Sequence, residues 1–131
     1  MAGDYNEIVV SGETRLSEIR DAFADYYPFL MIGFAHQEQY PAASSLAALS
    51  LEKPSDAFAR MGASYAIDVS SQRSVVDVVR DFSDLFGVQI QMYRKSGSVW
   101  NLILYTDSWS LRRQNDAGEY VSRMMRGVKD E

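Results

Sequence analysis

Residues 65–93 read YAIDVSSQRSVVDVVRDFSDLFGVQIQMY, and the periodicity of this stretch changes twice. Tyr65 to Val69 alternates as a strand does. Ser74-Val75-Val76-Asp77 has the form of a capping box, in which hydroxyl and carboxylate satisfy each other's free backbone N–H groups. Val75, Val78, Val79, Phe82, Leu85 and Phe86 then recur at three and four residue spacing, an apolar helical stripe. Gly87 supplies the left-handed residue that ends such a helix. Val88 to Tyr93 alternates again, so one face is buried and the other is more polar. The stretch is a strand–helix–strand unit.

The same unit occurs earlier. Sliding the chain by 59 residues places Ile8, Val10 and Ser11 on Ile67, Val69 and Ser70, and Phe23 and Asp25 on Phe82 and Asp84. Leu16 and Ile19 meet Val75 and Val78. One further residue of shift brings Ser50, Leu51, Asp56 and Ala57 onto Ser110, Leu111, Asp116 and Ala117. Matches in register indicate one supersecondary unit used twice. In the first copy residues 5 to 10 form the strand and Thr14 is the expected N-cap. Leu16, Ile19, Phe23, Tyr26 and Tyr27 form the stripe. Pro28 stops the helix by lacking an amide hydrogen, and Phe29 to Phe34 returns as a strand.

After the second unit, Lys95-Ser96-Gly97-Ser98 reads as a hairpin connection. Val99 to Tyr105 is expected to be a strand and Trp109 to Arg126 a last helix, capped by Asp107 or Ser108. Between the copies, residues 36–61 hold a loop at Tyr40 to Ser45 and a turn at Lys53 to Asp56, with no long periodic element.

Two β-α-β units interleaved in one sheet give the ferredoxin-like split βαβ sandwich. Its two helices cover one face by the right-handed crossover rule. The expectation is an α+β single domain over 1–131. It has pseudo-repeats at about 5–60 and 64–126, an extra hairpin strand and a C-terminal helix. The alternative is a pair of tandem β-grasp-like units, with the Ser-Leu turns at Ser50 and Ser110 each preceding a closing strand.

Bulk properties narrow the function classes. The length of 131 residues suits one core better than two. A net charge of −5 disfavours nucleic acid and anionic membrane as partners, because both require basic groups that displace counterions. The absence of cysteine removes disulfides, thiolate metal sites and cysteine nucleophiles, and fits a reducing, cytoplasmic setting. No apolar run reaches the roughly 20 residues a membrane span needs.

Few residues suggest chemistry. His36 is the single histidine. It stands near Glu38 and Tyr40, and could act as a base with a neighbouring carboxylate or be a loop residue. Asp68 interrupts a central strand; it either seeks a cation such as Arg94 or faces the less buried side. A small-molecule site near the 36–61 segment would use His36, Tyr40 and Asp68. Asp77, Asp81 and Asp84 share one side of a helix, as a solvated face does, and make no converging oxygen cage for a metal. No phosphate loop, zinc-protease or hydrolase motif occurs, so no catalytic residue, metal site or cofactor is expected. Trp100, Tyr105 and Trp109 cluster around the last strand and helix, where aromatics either anchor a partner or close a core.

Thr106-Asp107-Ser108-Trp109-Ser110-Leu111, followed by Gln114-Asn115, resembles a pattern in small uncharacterised bacterial proteins built from tandem strand–helix–strand units. Leu85-Phe86-Gly87-Val88 and Tyr93-Arg94-Lys95-Ser96-Gly97 add to the likeness, which covers the second half. The resemblance implies a structural unit and no activity. Apolar residues of both parities in Phe29 to Phe34 and in Val99 to Tyr105 want burial on both strand faces. The resulting expectation is a non-enzymatic protein-interaction module or homo-oligomeric subunit, with self as a possible partner in a homodimer. The alternative is a small-molecule-binding or enzymatic ferredoxin-like domain.

Overall fold

The computed structural model describes residues 5–35, 43–49 and 64–129. In chain order the elements are β1 (Glu7–Ser11), α1 (Leu16–Tyr26), β2 (Leu30–Phe34), a 3-10 turn (Leu46–Leu49), β3 (Ser64–Asp68), α2 (Val75–Phe86), β4 (Ile90–Ser96), β5 (Val99–Leu102) and α3 (Leu111–Lys129). The fold is α+β. Among the described residues, five strands form two antiparallel sheets, accompanied by three α-helices.

Helix boundaries follow local hydrogen bonding. The Ser74 hydroxyl accepts the Asp77 N–H, and the Asp77 carboxylate accepts the Ser74 N–H, closing the box that opens α2. Gly87 ends that helix at φ 64°. α1 starts one residue later than Thr14 would dictate. The Thr14 hydroxyl instead accepts the Ser11 N–H, and Glu18 accepts the Arg15 N–H. Likewise α3 starts at Leu111, because the Ser110 hydroxyl, not Asp107 or Ser108, accepts the Arg113 N–H.

The two copies meet like against like. β1 pairs with β3 so that Ile8 lies opposite Ile67. β2 pairs with β4 so that Ile32 lies opposite Met92. Ile8 and Ile67 are equivalent by the 59-residue repeat, and Ile32 and Met92 match at a separation of 60, one residue longer; an antiparallel pair centred on equivalent residues has a local twofold axis. The β1–β3 pair is the one a ferredoxin-like sheet carries at its centre, but the rest of that sheet is corrected. Interleaving would also have paired β2 with β3 and β1 with β4, whereas β2 pairs with β4, and the sheets are β1-β3 and β2-β4-β5.

The helices fill equivalent places in one buried cluster. Leu16, Ile19, Phe23 and Tyr27 are buried along α1 and its C-cap, and Val75, Val78, Phe82 and Phe86 along α2. Phe23 and Phe82 are both fully enclosed. Each such side chain contributes about 1.5–3 kcal/mol by leaving water.

The repeat extends past the second strand, at another offset. The Leu46 N–H donates to the Thr14 carbonyl, as the Leu111 N–H donates to that of Arg73. Isolated bridges join Arg15 to Ser45 and Ser74 to Ser110. Ser45-Leu46 is thus the counterpart of Ser110-Leu111. Ser50, Leu51, Asp56 and Ala57, aligned from sequence, lie outside the described residues, as does most of the 36–61 segment. In the second copy the Ser-Leu turn opens α3, and the closing strand of a β-grasp unit does not follow it.

Candidate interaction surface

The pattern Thr106 to Asn115 attaches α3 to the rest of the chain. Leu111 is buried and its N–H binds the start of α2. Gln114 is fully buried: its amide donates to the Thr106 carbonyl and hydroxyl, and its oxygen accepts from Arg94 at 2.8 Å. The Asn115 side-chain oxygen Oδ1 accepts the Phe29 N–H at 2.9 Å. At Gly118 the helix comes so close to Phe29, just before β2, and to Arg94 on β4 that a Cβ would stand 2.9 Å from that of Phe29. Further on, the Ser122 hydroxyl accepts the Gly97 N–H at the hairpin tip.

Trp109 belongs to this attachment. The Arg113 guanidinium lies 3.9 Å from its ring centroid and that of Arg94 5.7 Å. Cations against an indole face are worth about 0.5–1 kcal/mol at such partly exposed sites. Trp109 therefore holds α3 on β4, and its ring is occupied by the chain's own arginines.

Trp100 and Tyr105 lie in and just beyond β5, the edge strand of the three-stranded sheet. Trp100 is half-buried, with Lys95 Nζ 5.8 Å from its ring centroid. Tyr105 is 96 % exposed. Val99, Leu102 and Leu104 are exposed as well. On the sheet face carrying Trp100, Met31 and Tyr93 are half-buried, and the Tyr93 ring covers Gly33, where a Cβ would meet it at 2.8 Å.

The ladder fixes how β5 presents its backbone. The Ile103 N–H donates to the Met92 carbonyl, and the register pairs Asn101 with Arg94 and Val99 with Ser96. Hydrogen-bonded and non-hydrogen-bonded pairs alternate in an antiparallel ladder. Val99, Asn101 and Ile103 therefore turn their amides toward β4, while Trp100 and Leu102 turn theirs away. No described strand pairs with that outer edge.

A groove of about 580 Å3 runs between the hairpin and the second half of α3, lined by Phe29, Lys95, Ser98, Ser122, Met125 and Arg126. The other site candidates do not gather. The Asp68 carboxylate accepts the backbone N–H and the hydroxyl of Ser70, and its carbonyl accepts from Arg73, so it builds a turn and does not meet Arg94. His36 and Tyr40 lie outside the described residues. Of the three aspartates on α2, Asp77 caps the helix and Asp81 binds Arg73, which holds the Arg73 guanidinium above its ordinary pKa. No group of three or more metal-ligating side chains occurs among the described residues, and no described helix is long and apolar enough to cross a membrane.

Sequence reasoning missed the pairing of buried Gln114 with half-buried Arg94. The signal was a polar residue three positions after Leu111, on the buried side of an amphipathic helix. Compared with known protein families, with curated proteins and with solved structures, the chain matches none of them.

Proposed function

We propose that this chain is a non-enzymatic interaction module and that its docking surface is the free edge of β5. The supporting observation is the outward-turned backbone of Trp100 and Leu102, flanked by exposed Val99, Leu104 and Tyr105. Native edge strands are normally blunted by charge, proline or a bulge. Between Val99 and Tyr105 there is neither a charged residue nor a proline. An extended segment added here gains main-chain hydrogen bonds for affinity, with alternate side chains supplying selectivity. The convergent, perturbed polar groups expected of a catalytic pocket do not accompany this edge.

The test is a photo-crosslinking amino acid placed at Tyr105 in the full chain inside cells. A discrete adduct is expected, and Leu102→Lys should abolish it by placing a charge on the edge. No adduct, or one indifferent to that charge, would overturn the reading.

A further inference from the structure

We infer that the occupant of this edge is a second copy of the same chain, joined β5 to β5 in antiparallel register about Asn101. The inference rests on the reading that the β5 edge docks a partner, and names that partner.

The ladder geometry carries it. Trp100 and Leu102 point their N–H and C=O groups outward, and Asn101 between them points its own inward, toward Arg94 on β4. A twofold axis at Asn101 sets Trp100 of each copy opposite Leu102 of the other. Each such pair exchanges two N–H···O=C bonds, so all four outward groups on each strand are satisfied. An interface between identical surfaces needs this self-complementarity. An axis at Trp100 would oppose Leu102 to Ser98, in the hairpin turn. An axis at Leu102 would oppose Trp100 to Leu104, past the strand end. Only the axis at Asn101 keeps both outward residues within the bounds of β5, Val99–Leu102.

Side chains and charge agree with it. Trp100 and Leu102 share one sheet face, so each indole would lie across from a leucine, an apolar cross-strand pair. Leu102 is 40 % exposed in the single chain. The chain carries a net charge of −5, but Val99 to Tyr105 is uncharged, so the strands meet without like charges opposed. Closure about a twofold also consumes the β5 edge in both copies, so pairing does not propagate along it.

The register predicts a particular cross-link. Asn101 would face its own counterpart as a non-hydrogen-bonded pair, with Cα atoms about 4.5 Å apart, within the range a disulfide spans. The chain has no cysteine to compete. Full-length Asn101→Cys should therefore form a disulfide-linked dimer under mild oxidation. Val99→Cys, whose cysteine would face Ile103 of the other copy, should not. In sedimentation, the wild type should behave as a dimer and Leu102→Lys as a 14.8 kDa monomer. A monomeric wild type, or equal cross-linking of the two cysteine variants, would overturn the inference. If the wild type is monomeric but the Tyr105 photo-adduct has another mass and is lost in Leu102→Lys, the docking edge stands and the second copy falls. If there is neither dimer nor adduct, both fall.

Discussion

The Cα of Gly118 lies so near Phe29 that a Cβ there would sit 2.9 Å from the Phe29 Cβ, 3.1 Å from Arg94 Cγ and 3.2 Å from the Phe29 carbonyl oxygen. In an exposed helix, alanine at this position would gain about 1 kcal/mol over glycine. Here two of the three neighbours are backbone or attached directly to it, and cannot swing aside. Gly118→Ala should therefore destabilise by about 1–3 kcal/mol, the usual cost of overpacking. Urea unfolding followed by circular dichroism would show a lowered midpoint at unchanged slope; a raised midpoint would contradict the close packing of α3.

Gln114 binds Thr106 with its amide and Arg94 with its oxygen, while itself fully buried. Removing it takes a partner from the half-buried Arg94 guanidinium and Thr106 carbonyl, and the loss should lie toward the lower end of the about 1–3 kcal/mol that an unsatisfied buried group costs. Gln114→Leu should cost this much alone and markedly less in an Arg94→Met background. A double-mutant cycle by chemical denaturation should return a coupling of about 0.5–3 kcal/mol. Additive losses would mean that the two side chains act independently.

Most elements were legible in the sequence, because each depends on a local period or cap. The Ser74–Asp77 box and the Gly87 stop are short-range signals, and both appear where they were read. Strand pairing was legible only in part. The β1–β3 pair and the β4–β5 hairpin are common to the expected sheet and this one, but β2 can bury the same alternating residues against β3 or against β4, so the pattern of Leu30, Ile32, Ile90 and Met92 is indifferent between them. The Ser-Leu turn was misplaced for a related reason: Ser45-Leu46 and Ser50-Leu51 offer the same dipeptide, and only the bond from Leu46 to Thr14 distinguishes them. In the candidate surface, Trp100, Tyr105 and Trp109 looked alike as aromatics. Their roles diverge because Arg94 and Arg113 reach Trp109 from positions 15 residues before and 4 after it, and Tyr105 is reached by neither.

The Asp77 carboxyl is held below the ordinary aspartate range, first by the Ser74 backbone N–H, against the opposing effect of burial, and also by Arg73 and Arg80 nearby. A carboxyl whose folded pKa lies below its unfolded value stabilises the fold fully above the unfolded value, near 3.9 for aspartate. That contribution disappears as pH falls through the folded value. Asp77→Asn should therefore lower stability at neutral pH, and its deficit against wild type should shrink as pH drops below about 4. Ser74→Ala should cost about 1 kcal/mol at neutral pH through loss of the cap. Thermal unfolding from acid to neutral pH would check both, and a deficit for Asp77→Asn that is constant with pH would count against the carboxylate's role.

The pseudo-twofold makes a comparative prediction about the core. Phe23 and Phe82 occupy equivalent turns of α1 and α2, both fully enclosed, in one continuous cluster. Phe23 lies 5.3 Å from the Tyr27 ring and Phe82 5.8 Å from that of Phe86, the residue equivalent to Tyr27. Truncating a buried phenylalanine to alanine costs about 3–5 kcal/mol, through lost transfer energy and the cavity left behind. Because the environments match, Phe23→Ala and Phe82→Ala should lose stability by amounts within about 1 kcal/mol of each other, inside the 3–5 kcal/mol spread of such truncations. Both should destabilise the whole chain as one cooperative unit and not melt one half alone. Hydrogen exchange of the β1–β3 amides, which both copies share, would decide it. Loss of protection in only one of the two strands would show that the halves unfold separately and that the shared core does not couple them.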